Sequence, residues 1–179
     1  MHVYTSRRIW EGRIVNLRVD ELDAPDGVRR RTVEVVEHPG GVGVIARPTA
    51  RDIVLVRQYR HPVEEYTWEI PAGRIEPDED PALTARRELL EESGYRCERL
   101  EFVFSFYSTP GFCSERIRLY AAYGLTPGRA QPEEDESFEL RVWPIEEAWG
   151  EVEADRIRDS KTQLGLAWAR MHPLEVGGA

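Results

Sequence analysis

A chain of 179 residues with a net charge of −9 has room for one domain with a sizeable core, or for one domain with a small appendage. That acidic balance argues against a nucleic-acid backbone and against an anionic membrane surface as partners. It leaves a small phosphorylated substrate open, because divalent ions and a few local arginines bind phosphate inside an acidic protein. Cys97 and Cys113 have no metal-site spacing and make no disulfide framework, so they read as reduced thiols. The opening residues MHVYTSRRIW carry no apolar core of signal-peptide length, and no stretch approaches a membrane span. The expectation is a soluble, cytoplasmic protein.

Residues 13–22 alternate: Val15, Leu17 and Val19 point one way, Asn16, Arg18 and Asp20 the other. This predicts a half-buried strand. Pro25-Asp26-Gly27 marks a turn. Thr32 to Glu37 predicts a second strand, with Val33 and Val35 on one face. A two-stranded hairpin is marginal alone, so its apolar face needs the main domain or a second copy of the chain. His38-Pro39-Gly40-Gly41 breaks the pattern. Residues 1–40 are therefore expected to form an N-terminal β appendage, and residues 41–179 the main domain.

Val42 to Ala46 and Asp52 to Gln58 predict buried strands. Val56-Arg57-Gln58-Tyr59-Arg60 closes the second with two arginines and an aromatic. This is either a solvated strand end or a pair of planar forks for phosphate oxygens. Thr67-Trp68-Glu69-Ile70-Pro71-Ala72 then leads into Gly73 to Tyr95, a stretch rich in acids. Trp68 reads as a core residue. Asp80 suits a helix N-cap, Pro81 the first helical position, and Gly94 the left-handed residue past the end. At about 100° per residue, Ala82, Leu83, Ala85, Leu89 and Leu90 share an apolar arc. Glu88, Glu91 and Glu92 share the neighbouring arc, where like charges repel by a few tenths of a kcal/mol per pair. They form either a solvated acidic face or a seat for a hard divalent cation. Arg86 projects into the apolar arc, which suits a snorkelling side chain or an interface.

Leu100 to Phe106 and Ile117 to Tyr123 predict strands, separated by the turn-rich Ser108-Thr109-Pro110-Gly111-Phe112. Residues 124–136 read as a long polar loop holding Glu133-Glu134-Asp135-Glu136. Phe138 to Trp143 predicts a strand, Ile145 to Trp149 a short helix and Arg158 to Met171 a longer one. The tail from Val176 to Ala179 is expected to be disordered. This order predicts an α/β or α+β domain with a mixed sheet flanked by helices.

Gly73, Glu79, Arg87, Glu88, Leu89, Glu91, Glu92 and Gly94 fit the pattern G-x5-E-x7-R-E-u-x-E-E-x-G-u, where u is bulky and apolar. This resembles the Nudix box, the signature of hydrolases that cleave a nucleoside diphosphate linked to another moiety. Tyr95 stands where that family usually has Ile, Leu or Val. The resemblance implies an α/β/α sandwich with the box helix beside the central sheet.

Four features outside the box resemble the ADP-ribose pyrophosphatase branch. They are the hairpin ending in Val35-Val36-Glu37-His38, the Val56–Arg60 run upstream of Glu69–Gly73, Pro110-Gly111-Phe112 with Glu115, and Asp159-Ser160-Lys161-Thr162. The resemblance implies hydrolysis of ADP-ribose to AMP and ribose 5-phosphate, by a homodimer whose N-terminal strands help build the sites. It implies magnesium, with manganese as a substitute, held by Glu88, Glu91, Glu92 and the Ala72 carbonyl. Arg87 and Glu79 would form a salt bridge orienting the loop against the helix. Glu134 is the first choice of general base, with Glu136 and Glu91 as the others. Arg57, Arg60, Glu69 and Glu115 are substrate-binding candidates, and Ile14, Trp10, Tyr59 and Phe112 are candidates for the adenine slot. The competing readings are a hydrolase of another nucleoside diphosphate sugar, such as ADP-glucose or GDP-mannose, and a module that binds ADP-ribose without cleaving it.

Overall fold

The computed structural model describes residues 3–24, 26–27, 30–130 and 139–174. The chain divides into two compact units, Met1–Gly40 with Phe106–Ile117, and Gly41–Ser105 with Arg118–Ala179.

The first unit carries a three-stranded antiparallel sheet in the order β1 (Val3–Glu11), β2 (Asn16–Asp23), β3 (Arg30–Glu37). The hairpin expected from the alternation is β2–β3, and Val33 and Val35 are half-buried. β1 extends it by a strand that the sequence pattern does not reveal. Its described side chains are exposed along its length, so it has no apolar period to read. The ring of Trp10 lies over Gly12, where any Cβ would overlap it. The polar face of β2 is covered as well: Asp20 is buried and accepts from the Ser6 hydroxyl at 2.7 Å and from Arg18 Nε at 3.0 Å. Residues 112–114 add to β3, with Val36 N–H donating to the Phe112 carbonyl at 2.8 Å and Ser114 N–H to the Val36 carbonyl at 2.9 Å. Gly40 has φ of +92°, and a Cβ there would meet the Arg116 carbonyl oxygen at 2.7 Å. That combination accounts for a glycine at the chain's exit from this unit.

The second unit contains β4 (Gly41–Ala46), β5 (Asp52–Arg60), β6 (Glu65–Glu69), β7 (Ala72–Arg74), β8 (Tyr95–Tyr107), β9 (Arg116–Pro127) and β10 (Glu139–Pro144). Two of these strands, β8 and β9, run on into the first unit. Their sheets are ordered β7-β4-β9-β8 and β10-β5-β6. The helices are α1 (Pro81–Ser93), α2 (Ile145–Glu153) and α3 (Ser160–Met171). Every residue of β4 is buried, as a strand covered on both faces should be. Successive strand residues point to opposite faces. Val42, Val44 and Ala46 accordingly pack with Ala85 and Leu89 of α1. Gly43 and Ile45 point the other way: a Cβ at Gly43 would meet Ile70, and Ile45 lies against Gly165 of α3. The strand is therefore sandwiched between α1 and α3, the α/β/α arrangement expected. Trp68 packs edge-on against Trp143, 5.4 Å between ring centroids. No helix among the described residues is long and apolar enough to cross a membrane.

The buried face of α1 differs from the apolar arc expected. Thr84, Ala85, Glu88, Leu89, Glu92 and Ser93 are buried, whereas Leu83 is 62% exposed. At about 100° per residue these buried positions span half the helix, with Glu92 near the middle and Glu88 between it and the Thr84 edge. Two glutamates thus occupy places that apolar residues would ordinarily fill. Arg86 is exposed and donates to the Cys97 carbonyl at 2.8 Å and to its sulfur at 3.2 Å. Cys97 and Cys113 are free thiols, and burial pushes the Cys97 thiol above its ordinary range.

Candidate active site

The helix termini form as the sequence dictates. Asp80 accepts the Ala82 N–H at 2.7 Å, Pro81 opens the helix, and Gly94 (φ +74°) donates to the Leu90 carbonyl at 2.8 Å. This fixes the rotation of α1, and with it the direction of its glutamates. Ahead of the helix, β7 pairs with β4 in the register Val42 to Gly73 and Gly43 to Ala72. That pairing lays the Ala72–Gly73 backbone against α1. The Ala72 N–H donates to Glu92 Oε2 at 2.9 Å. Gly73 lies so close to Glu88 that any Cβ would overlap its carboxylate. The glycine is required by this approach and not by its backbone angles. Gly73→Ala is expected to displace the Glu88 carboxylate and to lower turnover by about 100-fold, the scale of a 1 Å misplacement. Steady-state kinetics check this, and near-normal kcat would show that the loop yields instead.

Arg87 organises the neighbouring acids. Its guanidinium forks onto Glu79, with Nε and Nη2 each 3.2 Å from an oxygen. Nη1 reaches Glu88 Oε1 and Glu91 Oε2, both at 2.8 Å, and Nη2 donates to the Arg74 carbonyl at 3.4 Å. The hydrogen bonds that Arg87 donates hold Glu79 below the usual carboxylate range, and the same bonds raise Arg87 in turn. Glu88 and Glu92 are 9% and 5% exposed. Glu88, Glu92 and Gly73 therefore lie together with Arg87 beside them, and Glu91 is turned towards that arginine.

Among the described residues no three His, Cys, Asp or Glu side chains converge as a ready metal-chelating group. The donors nevertheless suit a hard divalent cation. Two buried carboxylates stand one helical turn apart, and the backbone at Gly73 approaches that of Glu88 closely enough to exclude a side chain.

The second cluster surrounds Glu69, which is 2% exposed. Arg60 forks onto it, Nε to Oε1 at 2.8 Å and Nη2 to Oε2 at 2.7 Å. The Lys161 ammonium and the Thr67 hydroxyl also donate to it. Burial works to raise its pKa, and Arg60 and Lys161 outweigh this to bring it to about 2. Burial likewise works to lower Lys161, and Asp159 and Glu69 more than offset it, leaving the ammonium above its ordinary value. Arg60 is raised, first by its hydrogen bonds to Glu69. Glu69 thus spends its oxygens on protein partners. Arg57 donates to Glu139 at 3.3 Å and lies over the Tyr66 ring at 5.0 Å, and Tyr59 is exposed beside Tyr66.

Lys161 and Thr162 take no individual role from the sequence pattern, although they close the Asp159–Thr162 run. The usable signal is the N-cap: Asp159 accepts the Thr162 N–H at 2.9 Å, so the run has to sit at a helix start. Ile14, Trp10, Phe112 and Glu115 belong to the first unit. There Ile14, Trp10 and Phe112 are exposed, and Glu115 Oε1 is 3.5 Å from His38 Nδ1. Glu134 and Glu136 lie outside the described residues.

On this α/β/α sandwich Glu88 and Glu92 are buried against Gly73 and Ala72, with Arg87 holding Glu88. The NUDIX domain model matches residues 37–163, and the chain belongs to that family. A methanol dehydrogenase activator from Bacillus methanolicus is 43% identical over 168 residues, 93% of this chain and 90% of that protein. An ADP-ribose pyrophosphatase from Bacillus subtilis is 34% identical over 166 residues, 92% of this chain and 89% of that protein. A crystal structure of an ADP compounds hydrolase shares the fold, with a TM-score of 0.83 at 22% identity over 95% of this chain and 92% of that one.

Proposed function

We propose that this protein hydrolyses the diphosphate of a nucleoside diphosphate sugar, with ADP-ribose as substrate and AMP and ribose 5-phosphate as products. The observation that carries this is the placement of Glu88 and Glu92 in the buried face of α1, against Gly73 and Ala72 respectively. The relative named ADP-ribose pyrophosphatase supports the choice of substrate.

Glu88, Glu91, Glu92 and the Ala72 carbonyl would hold magnesium, or manganese in its place. Such an ion, when bound, neutralises diphosphate oxygens and lowers the pKa of water. Arg87 holds Glu79, Glu88 and Glu91 in place before any ligand arrives. Arg57 and Arg60 present guanidinium groups to phosphate or to the terminal ribose, and Glu69 acts through Arg60 by fixing its fork. Ile14, Phe112 and Glu115 are further candidates for substrate contact. Glu134 takes the proton from the attacking water, with Glu136 the second choice. Residues 1–40 act as a dimerisation appendage of a cytoplasmic homodimer, which would give the exposed strand β1 a partner.

Product analysis with ADP-ribose, with and without magnesium, tests the reading; no AMP under either condition would contradict it. Glu134→Gln is expected to lower kcat by about 100-fold or more with KM little changed, the range of general-base catalysis. Near-normal kcat would move the role to Glu136 or Glu91.

A second reading follows from the relative named as a methanol dehydrogenase activator. It keeps the same site and adds a dehydrogenase as protein partner. Stimulation of a dehydrogenase that disappears with Glu92→Gln would favour it, and stimulation by neither form would exclude it.

A further inference from the structure

Thr162 is fully buried at the start of α3, and its hydroxyl is used twice. It donates to Asp159 Oδ2 at 2.6 Å and accepts the Ile70 N–H at 2.9 Å. An ionised carboxylate only accepts. Asp159 therefore orients the hydroxyl proton and leaves an oxygen lone pair for Ile70. One turn further along, Gly165 lets α3 close on the same residue: a Cβ there would lie 3.4 Å from Ile70 Cδ1 and 3.2 Å from Ile45 Cγ1.

Ile70 and Pro71 form the break between β6 and β7. The residues after Ile70 are held in succession. The Pro71 carbonyl accepts the Val44 N–H at 2.8 Å, the Ala72 N–H donates to Glu92 at 2.9 Å, and Gly73 lies against the Glu88 carboxylate. Four consecutive residues thus run from α3, past β4, to the glutamates of α1. At the Ile70 end α3 supplies one side-chain hydroxyl and one close helix contact.

We propose that Thr162 is a positioning residue. It sets where Ile70–Gly73 lies against α1, and through Ala72 and Gly73 it sets the carboxylates of Glu88 and Glu92 for a divalent ion. This rests on the hydrolase reading above.

The test is Mn2+ binding followed by electron paramagnetic resonance, together with the magnesium concentration for half-maximal rate. Thr162→Val keeps the shape and removes the hydroxyl, leaving the Ile70 N–H buried without a partner. Thr162→Ser keeps the hydroxyl. Thr162→Val is expected to weaken Mn2+ binding about tenfold and to raise the magnesium requirement by a similar factor, the range for residues supporting metal ligands. KM for the diphosphate at saturating magnesium should stay unchanged, and Thr162→Ser should bind Mn2+ as the wild type does. A folded Thr162→Val protein that is less heat-stable yet binds Mn2+ normally would overturn the proposal and leave Thr162 a purely structural residue. Should that variant not fold, Asp159→Asn, which retains an N-cap, is expected to weaken Mn2+ binding by a smaller factor; unchanged binding would equally overturn it. Wild-type protein that binds no Mn2+ would overturn the hydrolase reading together with this one.

Discussion

Glu92→Gln or Glu88→Gln is expected to cut turnover by about 1,000-fold while the protein stays folded. Either change removes a charge that the divalent ion needs, and such stabilisation is worth several kcal/mol; about 1.4 kcal/mol corresponds to each factor of ten. Glutamine keeps an oxygen that can still accept the Ala72 N–H at Glu92, or an Arg87 hydrogen at Glu88. Metal-free stability should therefore change by no more than about 1 kcal/mol, the net worth of one hydrogen bond. Magnesium should raise the melting temperature of the wild type by mass action and leave that of Glu92→Gln where it was. A variant that retains turnover, or one that simply unfolds, would show that these glutamates serve structure and not metal binding.

The largest stability effect is expected at Glu69. Breaking a buried ion pair by removing one partner costs about 3–5 kcal/mol, because the other charge is left uncompensated. Glu69→Gln leaves the Arg60 guanidinium facing a neutral amide and the buried Lys161 ammonium with Asp159 as its remaining carboxylate. The pH dependence has a definite sign. The folded-state value of Glu69 lies at about 2, against 4.5 for a free glutamate. Its contribution is complete above the unfolded value and is lost as pH falls through the folded one. The gap in unfolding free energy between wild type and Glu69→Gln should be full at pH 7, shrink below about pH 4.5 and nearly close near pH 2. Urea unfolding across that range measures it. A gap that stays constant with pH would mean that the glutamine fails for reasons of shape and not of charge.

What is legible in the sequence is local. Asp80, Pro81 and Gly94 carry their own helix-terminal chemistry, so the limits of α1 follow from those three residues alone. The spacing of Gly73, Glu88, Glu91 and Glu92 points to the family. The burial of α1 does not follow from its pattern, because counting apolar residues places acids outside by default. Leu83, on one flank of the expected arc, is exposed, and burial extends instead past the opposite flank to Glu88 and Glu92. Strand β1 escapes a reading by period because its described side chains are exposed along its length. The Glu69 cluster joins residues 60, 69 and 161, which no local pattern connects. A phosphate-binding role for Arg60 therefore has to share that side chain with Glu69.

The most direct measurement compares magnesium-dependent kcat/KM for ADP-ribose, ADP-glucose and GDP-mannose, with the products identified. ADP-ribose should be cleaved fastest, giving AMP and ribose 5-phosphate, and chelation of the metal should abolish the reaction. Faster cleavage of GDP-mannose or ADP-glucose would contradict the substrate assigned and leave the carboxylate site standing, whereas no cleavage of any of the three with magnesium present would contradict the hydrolase itself.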